Sequence, residues 1–188
     1  MHEHKGKSSE RHLDKKAVLR ALELQPGQSV LDAGCGNGYM SKAFAARVGL
    51  SGHVVALDPD EEAITILQAD PTAVHVEAVV ADITRPTTFP KGSMDLIYLS
   101  TVFHGFRDHQ VKGFVAEVKR LLKPGGKLAV VEIDKRETPF GPPLDIRFSP
   151  EGLQAKIPLR SLQTVRVGEA FYMQLFEKDE TSSLQEAL

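Results

Sequence analysis

Three aspartates stand where a ligand is most easily held. Asp32, Asp58 and Asp82 each end a short apolar run and precede a turn, in Ser29-Val30-Leu31-Asp32, in His53-Val54-Val55-Ala56-Leu57-Asp58 and in the stretch from Val74 to Asp82. A carboxylate offers two acceptor oxygens, suited to hydroxyls and to cationic amines. Directly after Asp32 comes Gly34-Cys35-Gly36-Asn37-Gly38. Glycines so placed let the backbone turn sharply and approach a ligand closely. The pattern is Gly-x-Gly-x-Gly with an acid just before it, whereas a dinucleotide fingerprint is Gly-x-Gly-x-x-Gly. Asp58 lies 20 residues beyond Gly38, where a carboxylate can accept from both hydroxyls of a ribose. That acid suits either a sulfonium or a nicotinamide adenosine cofactor. The competing structural readings are a tight turn for the glycines and capping of the following turn for Asp32 and Asp82. Cys35 reads as a small buried residue and is assigned no chemistry.

These residues need elements to carry them. Asp14 can cap a helix whose apolar residues Ala17, Val18, Ala21 and Leu22 recur at helical spacing, stopped by Leu24-Gln25-Pro26-Gly27. The run Ser29 to Asp32 predicts a strand, and Met40, Ala43, Phe44 and Val48 predict the helix after the glycines, with Gly49 at its end. A second strand over His53 to Asp58 leads to a helix opened by Asp60-Glu61-Glu62 and buried through Ile64 and Leu67. A third strand over Val74 to Asp82 and a fourth over Asp95 to Ser100 are apolar enough to be covered on two faces. A helix with Val111, Phe114, Val115, Val118 and Leu122 ends at Lys123-Pro124-Gly125-Gly126, and a fifth strand runs from Lys127 to Asp134. This βαβα alternation implies a parallel sheet, in which ligands bind outside the carboxyl ends of the strands. Ser149-Pro150-Glu151 opens a short helix, and the runs Leu162 to Val167 and Phe171 to Glu177 around Gly168-Glu169 predict an antiparallel hairpin.

Bulk properties narrow the function classes. A chain of 188 residues fits one domain with its own core. We expect a polar, flexible arm over residues 1–12, a folded domain over 13–178 and a polar tail over 179–188. A net charge of −2 supplies no basic field for a phosphate backbone, so no nucleic acid partner is expected. One cysteine allows no internal disulfide and points to a cytoplasmic location. The polar start lacks the apolar stretch of a secretory signal, and no run approaches the roughly 20 apolar residues needed to span a bilayer.

Taken together, Leu31-Asp32-Ala33-Gly34-Cys35-Gly36-Asn37-Gly38, Ala56-Leu57-Asp58, Ala81-Asp82-Ile83 and Leu122-Lys123-Pro124-Gly125-Gly126-Lys127 resemble the successive motifs of class I S-adenosylmethionine-dependent methyltransferases. The resemblance spans about Asp14 to Lys178 and is nearest to the type 11 group that includes ubiquinone and menaquinone biosynthesis methyltransferases. It implies a Rossmann-like α/β fold with a mostly parallel seven-stranded sheet, a C-terminal antiparallel hairpin and helices on both faces. It also implies that Gly34, Gly36 and Gly38 cradle the methionine part of S-adenosylmethionine, that Asp32 reaches its amino group directly or through water, and that Asp58 holds the ribose. Asp82 would then receive the adenine amino group and Ile83 pack against the ring, with Pro59, Ala81 and Ser100 completing the cofactor site. The implied reaction carries a methyl group to a small-molecule acceptor.

Transfer from a sulfonium needs alignment above all, because the leaving group departs neutral. A general base is needed only where the acceptor must lose a proton. His104, just beyond the fourth strand in Ser100-Thr101-Val102-Phe103-His104-Gly105-Phe106, is the candidate; its structural alternatives are capping the next helix or facing water. Phe103 and Phe106 read equally as pocket wall or core, and Tyr39 and Met40, just after the glycine loop, read as cofactor contacts or as core, with core packing favoured. Arg136, Arg147 and Gly141-Pro142-Pro143 border the acceptor in one reading and are solvated in the other. There is no Asn/Asp-Pro-Pro-Tyr/Phe or Pro-Cys motif of base methylation, and the several cysteines of arsenic methylation are missing. No Asp and Asn pair near Asp134 resembles a magnesium site, and His2, His4, His104 and His109 lack ligand spacing, so no metal is expected. Two alternatives stay open: a non-catalytic cofactor-binding subunit and a nicotinamide-dependent oxidoreductase.

Overall fold

Strand and helix alternate as the hydrophobic periods require. In the computed structural model, which describes residues 12–180, the order is α1 (Lys15–Leu22), β1 (Ser29–Ala33), α2 (Tyr39–Val48), β2 (His53–Asp58), α3 (Glu61–Ala69), β3 (Val76–Val80) and β4 (Met94–Ser100). A 3₁₀ turn over Phe103–Gly105 leads to α4 (Asp108–Leu121), β5 (Leu122–Ile133), α5 (Pro150–Lys156), β6 (Arg160–Arg166) and β7 (Phe171–Glu177). Local signals set the helix starts. Asp14 accepts from Ala17 N at 2.9 Å, Asp60 accepts from Glu62 N and Ala63 N, and Ser149 accepts from Gly152 N at 3.2 Å. The expectations for residues 1–11 and 181–188 lie outside the described residues.

All seven strands join one sheet in the order β3-β2-β1-β4-β5-β7-β6, with β1 to β5 parallel. β7 runs antiparallel to both β5 and β6, so the predicted hairpin is inserted with its second strand against the parallel body. Alternating side chains then build two layers. Val18, Leu22, Met40, Phe44 and Val48 of α1 and α2 cover Val30, Val54, Tyr98 and Val131, and α3 adds Ile64 and Leu67 over Ala56. On the other face Val111, Phe114, Val118 and Leu121 of α4, with Leu153 of α5, cover Leu31, Leu57, Leu99, Val130 and Tyr172.

Two strand expectations need correction. β3 is an edge strand and is not covered on both faces: Val80 is 49% exposed, and only β2 pairs with β3. The fifth strand begins earlier than Lys127. Leu122 already pairs with Met94 and Lys127 with Leu96, so Lys123-Pro124-Gly125-Gly126 is an irregular excursion within β5 rather than a loop before it. Its backbone stays paired through Gly125 N donating to Lys178 O at 2.9 Å.

Candidate active site at the carboxyl edge of the sheet

The three aspartates and the glycine loop meet along one edge. Gly34 N and Cys35 N both donate to Leu57 O, at 2.7 and 3.1 Å, which ties the loop after β1 to the end of β2. Gly34, Gly36 and Gly38 have φ of +70°, +51° and +74°, a region that other residues enter only with strain. At Gly34 the reason is also contact: a Cβ there would lie 2.7 Å from Val102 Cγ2, so the segment after β4 packs directly on the loop. Asp58 closes the arrangement. Its Oδ2 accepts from Gly36 N and its Oδ1 from Asp60 N, both at 2.9 Å. Each oxygen retains acceptor capacity for a ligand hydroxyl. Pro59 beside it is exposed, and Ala81 N donates to Asp58 O at 3.1 Å, bringing the end of β3 to the same edge.

Asp32 is held differently. Only 3% exposed, it accepts from Ser41 Oγ of α2 at 2.5 Å. Burial pushes its carboxyl up to about 7, the Ser41 bond opposes this, and the nearby Asp58 charge adds to the rise. On the same face, Tyr98 Oη and Ser100 Oγ are buried with no hydrogen-bond partner among the described residues. An unsatisfied buried hydroxyl is costly, and Ser100 ends the strand at the ligand edge. Next to it Thr101 has a φ of +57°, while its N–H donates to Val131 O at 2.8 Å. Asp82 takes the capping role as well as its place at the edge, accepting from Thr84 N and Oγ1 at 2.9 and 2.7 Å. Ile83 is buried in the core beneath.

His104 neither caps α4 nor faces water. Its Nδ1 lies 2.8 Å from Glu132 Oε2, and its N–H donates to Glu132 Oε1 at 3.3 Å. The Glu132 side chain is fully buried and that of His104 is 9% exposed. Glu132 escaped the sequence reading because it sits inside the apolar run Leu128-Ala129-Val130-Val131-Glu132-Ile133, which reads as plain strand. The charge within that run is the signal that could have found it.

The open alternatives resolve toward structure. Phe103 lies in an aromatic cluster with Phe106, Phe114 and Phe148, at centroid distances of 5.8, 5.8 and 5.1 Å, so Phe103 is core and Phe106 packs half-buried against it. Met40 is buried, and Lys15 Nζ lies 4.6 Å over the Tyr39 ring. Arg147 is buried and donates to Pro142 O, Asp134 O, Arg136 O, Thr138 Oγ1 and Phe140 O, so it fastens the segment after β5. Arg136 pairs with Asp134 and with Glu169 O. The Cys35 thiol is buried and pushed up by that burial, away from nucleophilic character. Among the described residues no group of three or more metal-ligating side chains gathers, and no helix is long and apolar enough to cross a membrane.

The family of proteins described as methyltransferase domains matches residues 30–126. An uncharacterized methyltransferase of Synechocystis sp. is 33% identical over 130 residues, which are 68% of this chain and 58% of that protein. The ubiquinone/menaquinone biosynthesis C-methyltransferase UbiE of Hydrogenovibrio crunogenus is 32% identical over 131 residues, 67% of this chain and 50% of that protein. The chain therefore spans little more than half the length of these curated relatives. A SAM dependent methyltransferase from Aquifex aeolicus, a solved crystal structure, superposes with a TM-score of 0.81 at 26% identity, covering 90% of this chain and 92% of the other.

Proposed function

The chain belongs to the class I S-adenosylmethionine-dependent methyltransferases of the type 11 group, and from that premise we propose that it transfers the methyl group of S-adenosylmethionine to a small-molecule acceptor. The observation that carries this reading is the edge itself, where a buried Asp32, a positive-φ glycine loop and Asp58 stand together beside the unpartnered Ser100 hydroxyl. The donor set fits the cofactor's chemistry. Asp32 is the acceptor for its ammonium group, Asp58 the acceptor for its ribose hydroxyls, and Gly34, Gly36 and Gly38 leave room for its methionine part. Pro59, Ala81, Asp82 and Ile83 border the adenine, and Ser100 Oγ gains the partner it lacks. When bound, the cofactor supplies a methyl group on a positively charged sulfur that leaves as a neutral thioether. The protein's part is to align acceptor and donor and to exclude water, which accounts for much of the acceleration in such displacements.

A net charge of −2 favours a small acceptor over nucleic acid, and the single cysteine favours a cytoplasmic setting. Isothermal titration with S-adenosylhomocysteine tests the cofactor assignment. Binding is expected in the wild type, and Asp58→Ala should weaken it by about 1–3 kcal/mol, roughly 5- to 150-fold, as ligand hydroxyls lose their acceptor. Unchanged affinity in that variant would remove Asp58 from the site, and no binding to the wild type would remove the reading.

A further inference from the structure

Among the described residues three buried side-chain hydroxyls have no hydrogen-bond partner, those of Ser93, Tyr98 and Ser100. Ser93 precedes β4 at the far end of the sheet, but Tyr98 and Ser100 stand two residues apart on the face that carries Asp32. Tyr98 lies directly opposite Asp32 in the parallel pairing of β1 and β4. Asp32 and Ser100 are the polar groups that act on its hydroxyl, and the two hydroxyls come close without reaching hydrogen-bond geometry. Burial holds the Tyr98 hydroxyl protonated, well above the usual tyrosine range, so it is available as a donor. Packing does not account for it. The ring stands edge-on to Phe44 at a centroid distance of 5.1 Å, in the cluster of Val30, Met40, Leu96 and Val131, where phenylalanine would fill the same space without an unpaired polar atom. The fold does satisfy its other buried tyrosine, since Tyr172 Oη donates to Phe148 O at 2.7 Å. Asp32, for its part, draws its donors from Ser41 alone, with Ser41 Oγ 2.5 Å from its Oδ2. A carboxylate has room for about four donors, and a buried ionised one is stable only when they are supplied.

We propose that Tyr98 is a positioning residue for the cofactor's ammonium group, its hydroxyl standing in reserve as a donor to Asp32 and finding its partner only when Asp32 is ionised in the complex. This inference rests on the methyltransferase reading above. In the free protein the water-poor setting and the Asp58 charge both favour a protonated Asp32, which needs fewer donors. Set against an ammonium group, Asp32 gives its proton to solvent. The ionised carboxylate then accepts from Tyr98 Oη as well as from Ser41. The unpaired hydroxyl is thus a cost to the free fold and a gain to the complex. The titratable groups around Asp32 are Asp58 at the end of β2, Cys35 in the glycine loop and Tyr98 on β4, while α2 faces it with Ser41.

The test reads stability and affinity separately in Tyr98→Phe, which removes the hydroxyl and keeps the ring. Without ligand, the urea midpoint of the variant should be no lower than that of the wild type, because an unpaired buried hydroxyl adds nothing to the free fold. Isothermal titration should show its dissociation constant for S-adenosylhomocysteine raised about 10-fold, the scale of one hydrogen bond to a charged group. For 5′-methylthioadenosine, which keeps the adenosine and the thioether but has no ammonium group, the change should stay within about twofold. A lower urea midpoint, or a variant that does not fold, would mean that the hydroxyl already serves the free protein and overturns the proposal. Unchanged affinity for S-adenosylhomocysteine overturns it too, as does an equal loss for both ligands, which reports a general change in the site. Failure of the wild type to bind S-adenosylhomocysteine strikes the methyltransferase reading and this inference with it, whereas wild-type binding with an unaltered variant strikes the role of Tyr98 alone.

Discussion

Asp32 and Asp58 are the same residue type at equivalent strand ends, yet the protein provides for them differently. Asp58 receives two backbone N–H groups, whereas Asp32 is served by Ser41 in a water-poor setting that lifts its carboxyl to about 7. Near neutral pH a carboxyl raised this far keeps part of its proton in the free protein. An ammonium group placed against it favours the ionised form, so ligand binding should release up to one proton. Isothermal titration in buffers of different ionisation enthalpy should show a buffer-dependent heat for the wild type and none for Asp32→Asn; a buffer-independent wild type would refute the contact. The position of both acids was legible from the glycine spacing and the strand ends. Their unequal environments were not, because Ser41 and Tyr98 reach Asp32 only once α2 and β4 have packed. Glu132 was hidden for a related reason, since its partner lies 28 residues away.

The elements themselves were readable wherever period and punctuation agreed, as for α1 and α3 with their aspartate caps and α2 with Gly49 at its end. Reading failed where neighbours decide. β3 has the composition of a covered strand but falls at the sheet edge, and no local signal reports strand order. Within α4 the surprise is Gly113. A glycine inside a helix ordinarily weakens it by about 0.5–1 kcal/mol relative to alanine. Here a Cβ would lie 2.0 Å from Thr84 O, so the absent side chain lets α4 press on the turn that Asp82 caps. Glu117 of α4 anchors the same stretch, accepting from Thr87 N and Oγ1 at 2.8 and 2.7 Å. Gly113→Ala should thus destabilise the fold by about 1–3 kcal/mol, as overpacking does, despite its gain in helix propensity. Urea unfolding measures it, and a stabilised variant would show that α4 and the turn can separate freely.

Stability of the domain should carry the mark of the site. The Asp32 carboxyl has its ordinary value of 3.8 in the unfolded chain and is pushed by burial up to about 7 in the fold. Below the lower value both states hold the proton and folding is not opposed. Between about pH 4 and pH 7 the unfolded chain gives the proton up first, so this contribution to stability falls as pH rises and levels off above pH 7. The stability difference between Asp32→Asn and the wild type should grow across that window, by chemical denaturation; a difference that stays constant would mean that Asp32 ionises freely in the fold. The sheet order has its own consequence for how the chain comes into being. β7 emerges after β6 during translation but lies between β5 and β6, so a nascent chain that has released everything through Ile133 still presents β5 as an open edge. The stretch shared with the methyltransferase family ends at residue 126, before β7 exists to close it. Without the hairpin, the parallel half is left with β5 as an unpaired edge and with Glu132 lacking its cross-strand neighbour Tyr172.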